Sequence, residues 1–283
     1  MARRRGLRRL AVLVLALALV AGGVYGAVFF LQRSETLVSE RCTAVVGDVS
    51  GELAPDQAAN AALITAVAVR RGLPPRAATI ALATAMQESK LRNIGHGDHA
   101  GPDSRGLFQQ RPSQGWGTEE QVMDPYYAAN AFYDALVKIP GYESLDITEA
   151  AQRVQRSAHP LAYAQHEGMG RSFASGLSGQ APGAVQCTLR SGTGGKDAAS
   201  LVASLDDAYG GLSSSADGDT VVVPVSGSRA WSVAQWAVAN AKAMDVVRVE
   251  VAGRSWDRAA RNGWQDAAAP DAGVRIVVAP AEG

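Results

Sequence analysis

Leu10 to Leu31, LAVLVLALALVAGGVYGAVFFL, is an uncharged run of twenty-two residues. At about 1.5 Å of rise per residue it reaches roughly 30 Å as a helix, the thickness of a bilayer's hydrocarbon core. Arg3, Arg4, Arg5, Arg8 and Arg9 stand directly before it. The positive-inside bias holds such a basic tip, 1–9, in the cytoplasm and sends the chain after Gln32 to the far side. The segment 10–31 therefore reads as a single transmembrane helix, a signal-anchor embedding the chain in the lipid bilayer. Val24-Tyr25-Gly26-Ala27 supplies small residues at a possible cleavage point, so a removed signal peptide and a secreted chain stand as the alternative.

The charge count follows the same division. The whole chain carries 27 basic and 27 acidic residues, but removing those five arginines leaves 22 against 27, a net of −5. An acidic body excludes nucleic-acid binding through a broad basic face. At 47% hydrophobic content the remainder is rich enough in apolar residues to build one large or two modest cores, which excludes wholesale disorder. The two cysteines, Cys42 and Cys187, form an even count that suggests one disulfide in an extracytoplasmic chain, with two buried free thiols as the alternative.

Residues 32–51 read as a polar stalk. A helix follows over 58–71, stopped by Gly72, and Pro74-Pro75 opens a second, RAATIALATAMQESKL, apolar on nearly every face from Ala77 to Met86. Asp124-Pro125 starts a helix whose Tyr126, Tyr127, Phe132 and Tyr133 read as core, and two more helices are expected after Asp146 and from Pro160 to Leu177. Gly- and Ser-rich sequence over 188–219 reads as a linker holding a short helix, 198–209. Beyond it, 221–225, 246–251, 254–257 and 274–278 are strand-like and 231–244 is helix-like. The expected fold is thus mainly α: a helical domain over 52–187 behind one N-terminal transmembrane helix, plus a small C-terminal α/β unit over 220–283.

One constellation carries chemistry. Glu88-Ser89 ends the apolar helix, and Gly106-Leu107-Phe108-Gln109 follows a Gly-rich loop. A carboxylate at the end of a buried helix is poorly solvated, so it holds its proton toward neutrality, as a general acid on a glycosidic oxygen must. The competing reading is a carboxylate paired with Lys90 or Arg92.

These residues resemble the lysozyme-like superfamily, in particular soluble lytic transglycosylases and goose-type lysozymes, which pair Glu-Ser with a downstream Gly-Leu-Met-Gln. Phe108 stands where Met is usual. The resemblance covers roughly 57–177 and is closest to actinobacterial cell-wall proteins carrying the segment GLFQQRPSQGWG, here Gly106 to Gly117. It implies a lysozyme-like helical fold, peptidoglycan glycan strands as substrate, and cleavage of the MurNAc-GlcNAc β-1,4 bond. Glu88 would be the catalytic acid and Ser89 a polar helper, with Gln109 lining the sugar cleft and Gly106, Leu107 and Phe108 its floor. The family's third motif, a Tyr-Asn followed by Gly, is not found as such; Gln152, Gln155, Ser157 and Tyr163 are the residues in that region available to orient substrate. Trp116 either stacks on a sugar or plugs its loop onto the core.

Asp98 and Asp103 sit where turn formers are needed, which leaves no firm second carboxylate. The resemblance then implies transglycosylase chemistry, in which one Glu serves as acid and then base and the muramic 6-hydroxyl closes an anhydro ring; hydrolysis is the runner-up. His96, His99, His159 and His166 lack zinc-like spacing, so no metal or cofactor is expected. Two rival functions are a non-catalytic glycan-binding module of the same fold and a metal-handling membrane protein built on the four histidines. The C-terminal unit, with Trp231, Trp236, Trp256 and Trp264, reads as a wall-binding or partner-docking module, and at least one of Trp231 and Trp236 should pack on its sheet.

Overall fold

The computed structural model describes residues 2–33, 35–99, 101–155, 160–268 and 273–280. The chain divides into two units, Met1–Ser39 and Glu40–Gly283.

The first unit is a continuous helix, α1 (Ala2–Arg33), followed by a 3₁₀ turn at Glu35–Leu37. Leu- and Ala-rich sequence without proline favours the helix. Among the described residues no helix is long and apolar enough to cross a membrane. The transmembrane helix expected over 10–31 is corrected accordingly.

The second unit opens with β1 (Arg41–Val46) and β2 (Val49–Leu53), a hairpin closed by the two-residue turn Gly47-Asp48 with Gly47 at φ 61°, as tight hairpins require. Then come α2 (Pro55–Arg70), α3 (Pro75–Ser89), α4 (Glu119–Met123), α5 (Pro125–Leu136), α6 (Ile147–Gln155) and α7 (Glu167–Leu177). Strand β3 (Val185–Thr188) returns to β1, giving an antiparallel sheet in the order β2-β1-β3. Cys42 and Cys187 lie opposite each other on β1 and β3, Cα atoms 4.0 Å apart, and form the disulfide.

Helix α3 is the axis of this half, packed by α2, α6, α7 and the turn 160–166. Ala77, Ala78, Ile80, Ala81, Leu82, Ala83 and Ala85 are all buried. The Thr79 and Thr84 hydroxyls donate to carbonyls one turn back, so their burial leaves no unmet donor. Helix α7 approaches so closely that a Cβ on Gly170 would stand 2.9 Å from the Thr79 carbonyl.

The chain continues through α8 (Ala198–Tyr209), β4 (Ser215–Asp217), β5 (Thr220–Val223), α9 (Gly227–Ala239), β6 (Val246–Val251), β7 (Arg254–Asp257), β8 (Trp264–Asp266) and β9 (Val274–Val278). The strands form a second antiparallel sheet, β4-β5-β9-β6-β7-β8. Helix α9 lies between that sheet and the first half, touching β6 and β9 on one flank and α2, α7 and β3 on the other. Its buried Gln235 accepts from the Val185 amide at 2.7 Å and donates to the Gly176 carbonyl at 2.7 Å, while Ser232 donates to Leu177. Within the stretch that reads as a linker, α8 packs on α2.

The mainly α fold with a small appendage is therefore corrected. The molecule is 49% helix and 17% strand, with antiparallel sheets of three and six strands. The stalk and the segment before residue 188 form strands because alternate residues, Cys42, Ala44, Val185 and Cys187, are buried while Arg41, Gln186 and their neighbours stay outward. That two-residue period is too short-lived to show in the sequence. The C-terminal strands join the main core because α9 is apolar on both flanks and needs two partners.

Candidate active site

Helix α3 ends at Ser89, and the chain turns away through two consecutive left-handed residues, Lys90 (φ 54°) and Leu91 (φ 55°). Such a pair is strained for non-glycine residues and persists only where the surroundings hold it. Here buried Leu91 anchors the turn, and the carbonyls of Lys90 and Leu91 accept from Gln57 and Asn60 at 2.8 Å each. The Ser89 hydroxyl donates to the Leu107 carbonyl at 2.7 Å, with the Ala85 carbonyl 3.0 Å away, and accepts from the Arg92 amide. Ser89 thus ties the helix end to the 106–109 segment and is buried, rather than facing a sugar.

The 106–109 segment works through its backbone. Gly106 has φ 78°, and a Cβ there would lie 2.2 Å from the Val122 carbonyl, so only glycine fits. Leu107 and Phe108 are fully buried, and Phe108 stacks on Phe132 with ring centroids 4.6 Å apart. Their side chains are core, not cleft floor. Their carbonyls do the connecting: Leu107 receives Ser89, and Phe108 receives the Gln155 side-chain amide at 2.7 Å. Gln109, half-buried at φ 48°, points its amide back to the Gly106 carbonyl at 3.3 Å.

Glu88 sits half-buried at this junction. The Tyr163 hydroxyl donates to its Oε1 at 2.6 Å, and Gln155 is also hydrogen-bonded to the carboxyl. Burial pushes the carboxyl pKa up; the Tyr163 and Gln155 bonds pull it down; the Asp98 charge pushes it up again, and the net is upward. Tyr163 is fully buried and so positions the acid without reaching substrate.

The two loop aspartates separate. Asp103 is bound by the side chain and amide of Ser113 and by Arg111 at 2.8 Å, which hold its carboxyl well below the usual range. It is a loop fastener. Asp98 accepts from the Gly101 amide at 2.8 Å and is the other carboxylate whose charge Glu88 senses, a role the turn-forming reading did not foresee.

Beside Gln155 opens a cleft of about 830 Å³, whose walls include Trp116, Tyr127, Asp134, Lys138 and Arg153. Trp116 is half-buried there, and its carbonyl accepts from the Tyr127 hydroxyl at 3.2 Å. Gln155 belongs to both places, bonded to Glu88 and exposed to the cleft. Gln152, one turn earlier on α6, lines a separate depression with Asp146, Glu149 and Glu167. Ser157 and His159 lie outside the described residues. Tyr127 reads as core by its helical spacing, yet it lines the cleft, and Lys138 carries no sequence signal at all.

Among the described residues no three His, Cys, Asp or Glu side chains converge as a metal site. His166 contacts Gln87 at 3.1 Å. Nor do the C-terminal tryptophans offer an open sugar platform. Trp236, Trp256 and Trp264 are buried, Trp264 donates to the Val185 carbonyl, and Trp231 packs edge-on to Trp264 at 5.2 Å. No known protein family matches the chain, and no curated protein matches it closely enough to count as a relative.

Proposed function

We propose that this protein cleaves the MurNAc-GlcNAc β-1,4 bond of peptidoglycan glycan strands by lytic transglycosylase chemistry, with Glu88 as the single acid and base. The observation that carries this reading is a carboxyl whose pKa is raised by burial, fixed by Tyr163 and linked through Gln155 to an aromatic- and polar-walled cleft. Protonated Glu88 gives its proton to the glycosidic oxygen as the C1–O bond breaks. The resulting carboxylate, steadied by the hydrogen bonds from Tyr163 and Gln155, then takes the proton of the muramic C6 hydroxyl as that oxygen closes on C1. Glu88 ends protonated as it began, and no water is consumed.

The fastening of Asp103 supports a one-carboxylate scheme, and the disulfide supports an oxidising compartment, where peptidoglycan lies. Hydrolysis is the second reading, favoured by Asp98, whose proximity to Glu88 would suit it to orient a water. Mass spectrometry of fragments released from purified peptidoglycan separates the two. Anhydro-muropeptides are expected from the wild-type chain; reducing-end products in their place would move the assignment to hydrolysis, and equal release by the Glu88→Gln variant would overturn it altogether.

A further inference from the structure

The cleft beside Gln155 carries an electrostatic imbalance. Asp134 in its wall is paired with Arg71 at 2.6 Å, and Arg153 is paired with Glu149 one helical turn away at 2.6 Å. Lys138, just past the end of α5, projects into the same cleft with an exposed side chain and no partner among the described residues. With both neighbouring charges matched, the cleft presents, among the described residues, one unmatched ammonium beside the Trp116 and Tyr127 rings. An ammonium on a flexible stem is a point charge suited to a carboxylate that arrives with substrate. An uncharged sugar would leave it without a counterion.

We propose that Lys138 is a specificity-determining residue that receives a carboxylate carried on the muramoyl residue, so that the cleft selects acidic peptidoglycan strands over neutral β-1,4 glucosamine polymers. This rests on the glycan-cleaving assignment of the adjoining carboxyl. The carboxylate has two sources on such strands: the stem peptide, or the lactyl group where the peptide has been removed. Arg153 and Asp134 each already have an oppositely charged partner within the protein, which leaves Lys138 the group best placed to receive that carboxylate.

The test uses the full chain in the Glu88→Gln background, so that probes are bound but not cut. Three soluble probes of equal length are titrated at low salt: a peptide-bearing strand, a strand stripped of peptide with free lactyl carboxylates, and an N-acetylglucosamine oligomer. The acidic strands are expected to bind about tenfold tighter than the neutral oligomer, the scale of one charge-assisted hydrogen bond. Lys138→Ala should abolish that preference, and Lys138→Arg should restore it. A preference kept after stripping assigns the lactyl carboxylate, and one lost on stripping assigns the stem peptide. A preference that survives Lys138→Ala, or that never appears although the wild-type chain cleaves peptidoglycan, overturns the role of Lys138 alone. Failure to bind any probe, together with no product release by the wild type, removes the cleavage assignment and this proposal with it.

Discussion

Glu88 and Asp245 are both carboxylates taken out of water, and the molecule treats them in opposite ways. Burial pushes the pKa of each upward. At Asp245 the push is reversed by the amides of Thr193 and Gly195, the Thr193 hydroxyl and the charge of buried Arg258, which lies 3.5 Å away. Arg258 in turn donates to the carbonyls of Arg190, Ser191 and Ala241, so the pair clamps the 190–195 strand of chain to the end of α9 and the start of β6. At Glu88 two neutral donors are too few to offset burial, and Asp98 adds to it. Four partners including a cation lower the carboxyl pKa and make a fastener; two neutral partners and a neighbouring anion leave it raised, the direction the proposed acid requires.

Replacing Glu88 breaks the functional side of that contrast. Glu88→Gln should lower glycan release by at least about a hundredfold, the scale of a lost general acid, and the rate from soluble strands measures it. Asp245→Asn should leave the chemistry intact and instead cost about 3 kcal/mol, on the order of 10 °C in Tm, because it strands Arg258 in the core. Since the Asp245 pKa is depressed on folding, its contribution is present above roughly pH 4 and lost as pH falls through the folded value. Calorimetry at descending pH should therefore show the wild type and the variant converging in acid.

Tyr163→Phe is a smaller and more pointed change. It removes a donor that holds the Glu88 pKa down, so the carboxyl should stay protonated to higher pH and the alkaline limb of the pH–rate profile should move upward. We expect kcat/KM to fall about tenfold as the acid loses its fixed position. A profile that keeps its limbs would show that Tyr163 is only filler. The smallest effect is on stability. A carboxylate with a raised pKa favours folding below about pH 4 and loses that contribution as pH rises through its folded value. Glu88→Gln should consequently melt slightly above the wild type at pH 8, with the difference vanishing in acid.

The sequence exposes the site more readily than the fold, and the reason is range. Glu88, Gly106 and Gln109 are legible because helix end, glycine and turn are local features, and the Glu-Ser and Gly-Leu-Phe-Gln spacing survives in one dimension. What those residues do is less legible: Phe108 reads as cleft floor, yet its ring is core and only its carbonyl serves the site. Tyr163 stands 75 residues from Glu88, and Lys138 reaches the cleft only through the packing of α5 beside α6, which no local pattern announces. In the fold, β5, β6 and β9 are visible as valine-rich runs. The three-stranded sheet is hidden because its strands are short and half polar, and the merging of the C-terminal strands with the helical half depends on α9 being apolar on both flanks.

Burial and its neighbours raise the Glu88 carboxyl pKa above the ordinary glutamate value, whereas the partners of Asp245 lower its pKa below the ordinary aspartate value. Carboxyl-carbon NMR of the ¹³C-labelled protein, with Glu88→Gln and Asp245→Asn assigning the two signals, measures both directly. The expected result is a Glu88 midpoint above that of an ordinary glutamate and an Asp245 midpoint below that of an ordinary aspartate. A Glu88 midpoint at or below the ordinary value would contradict it.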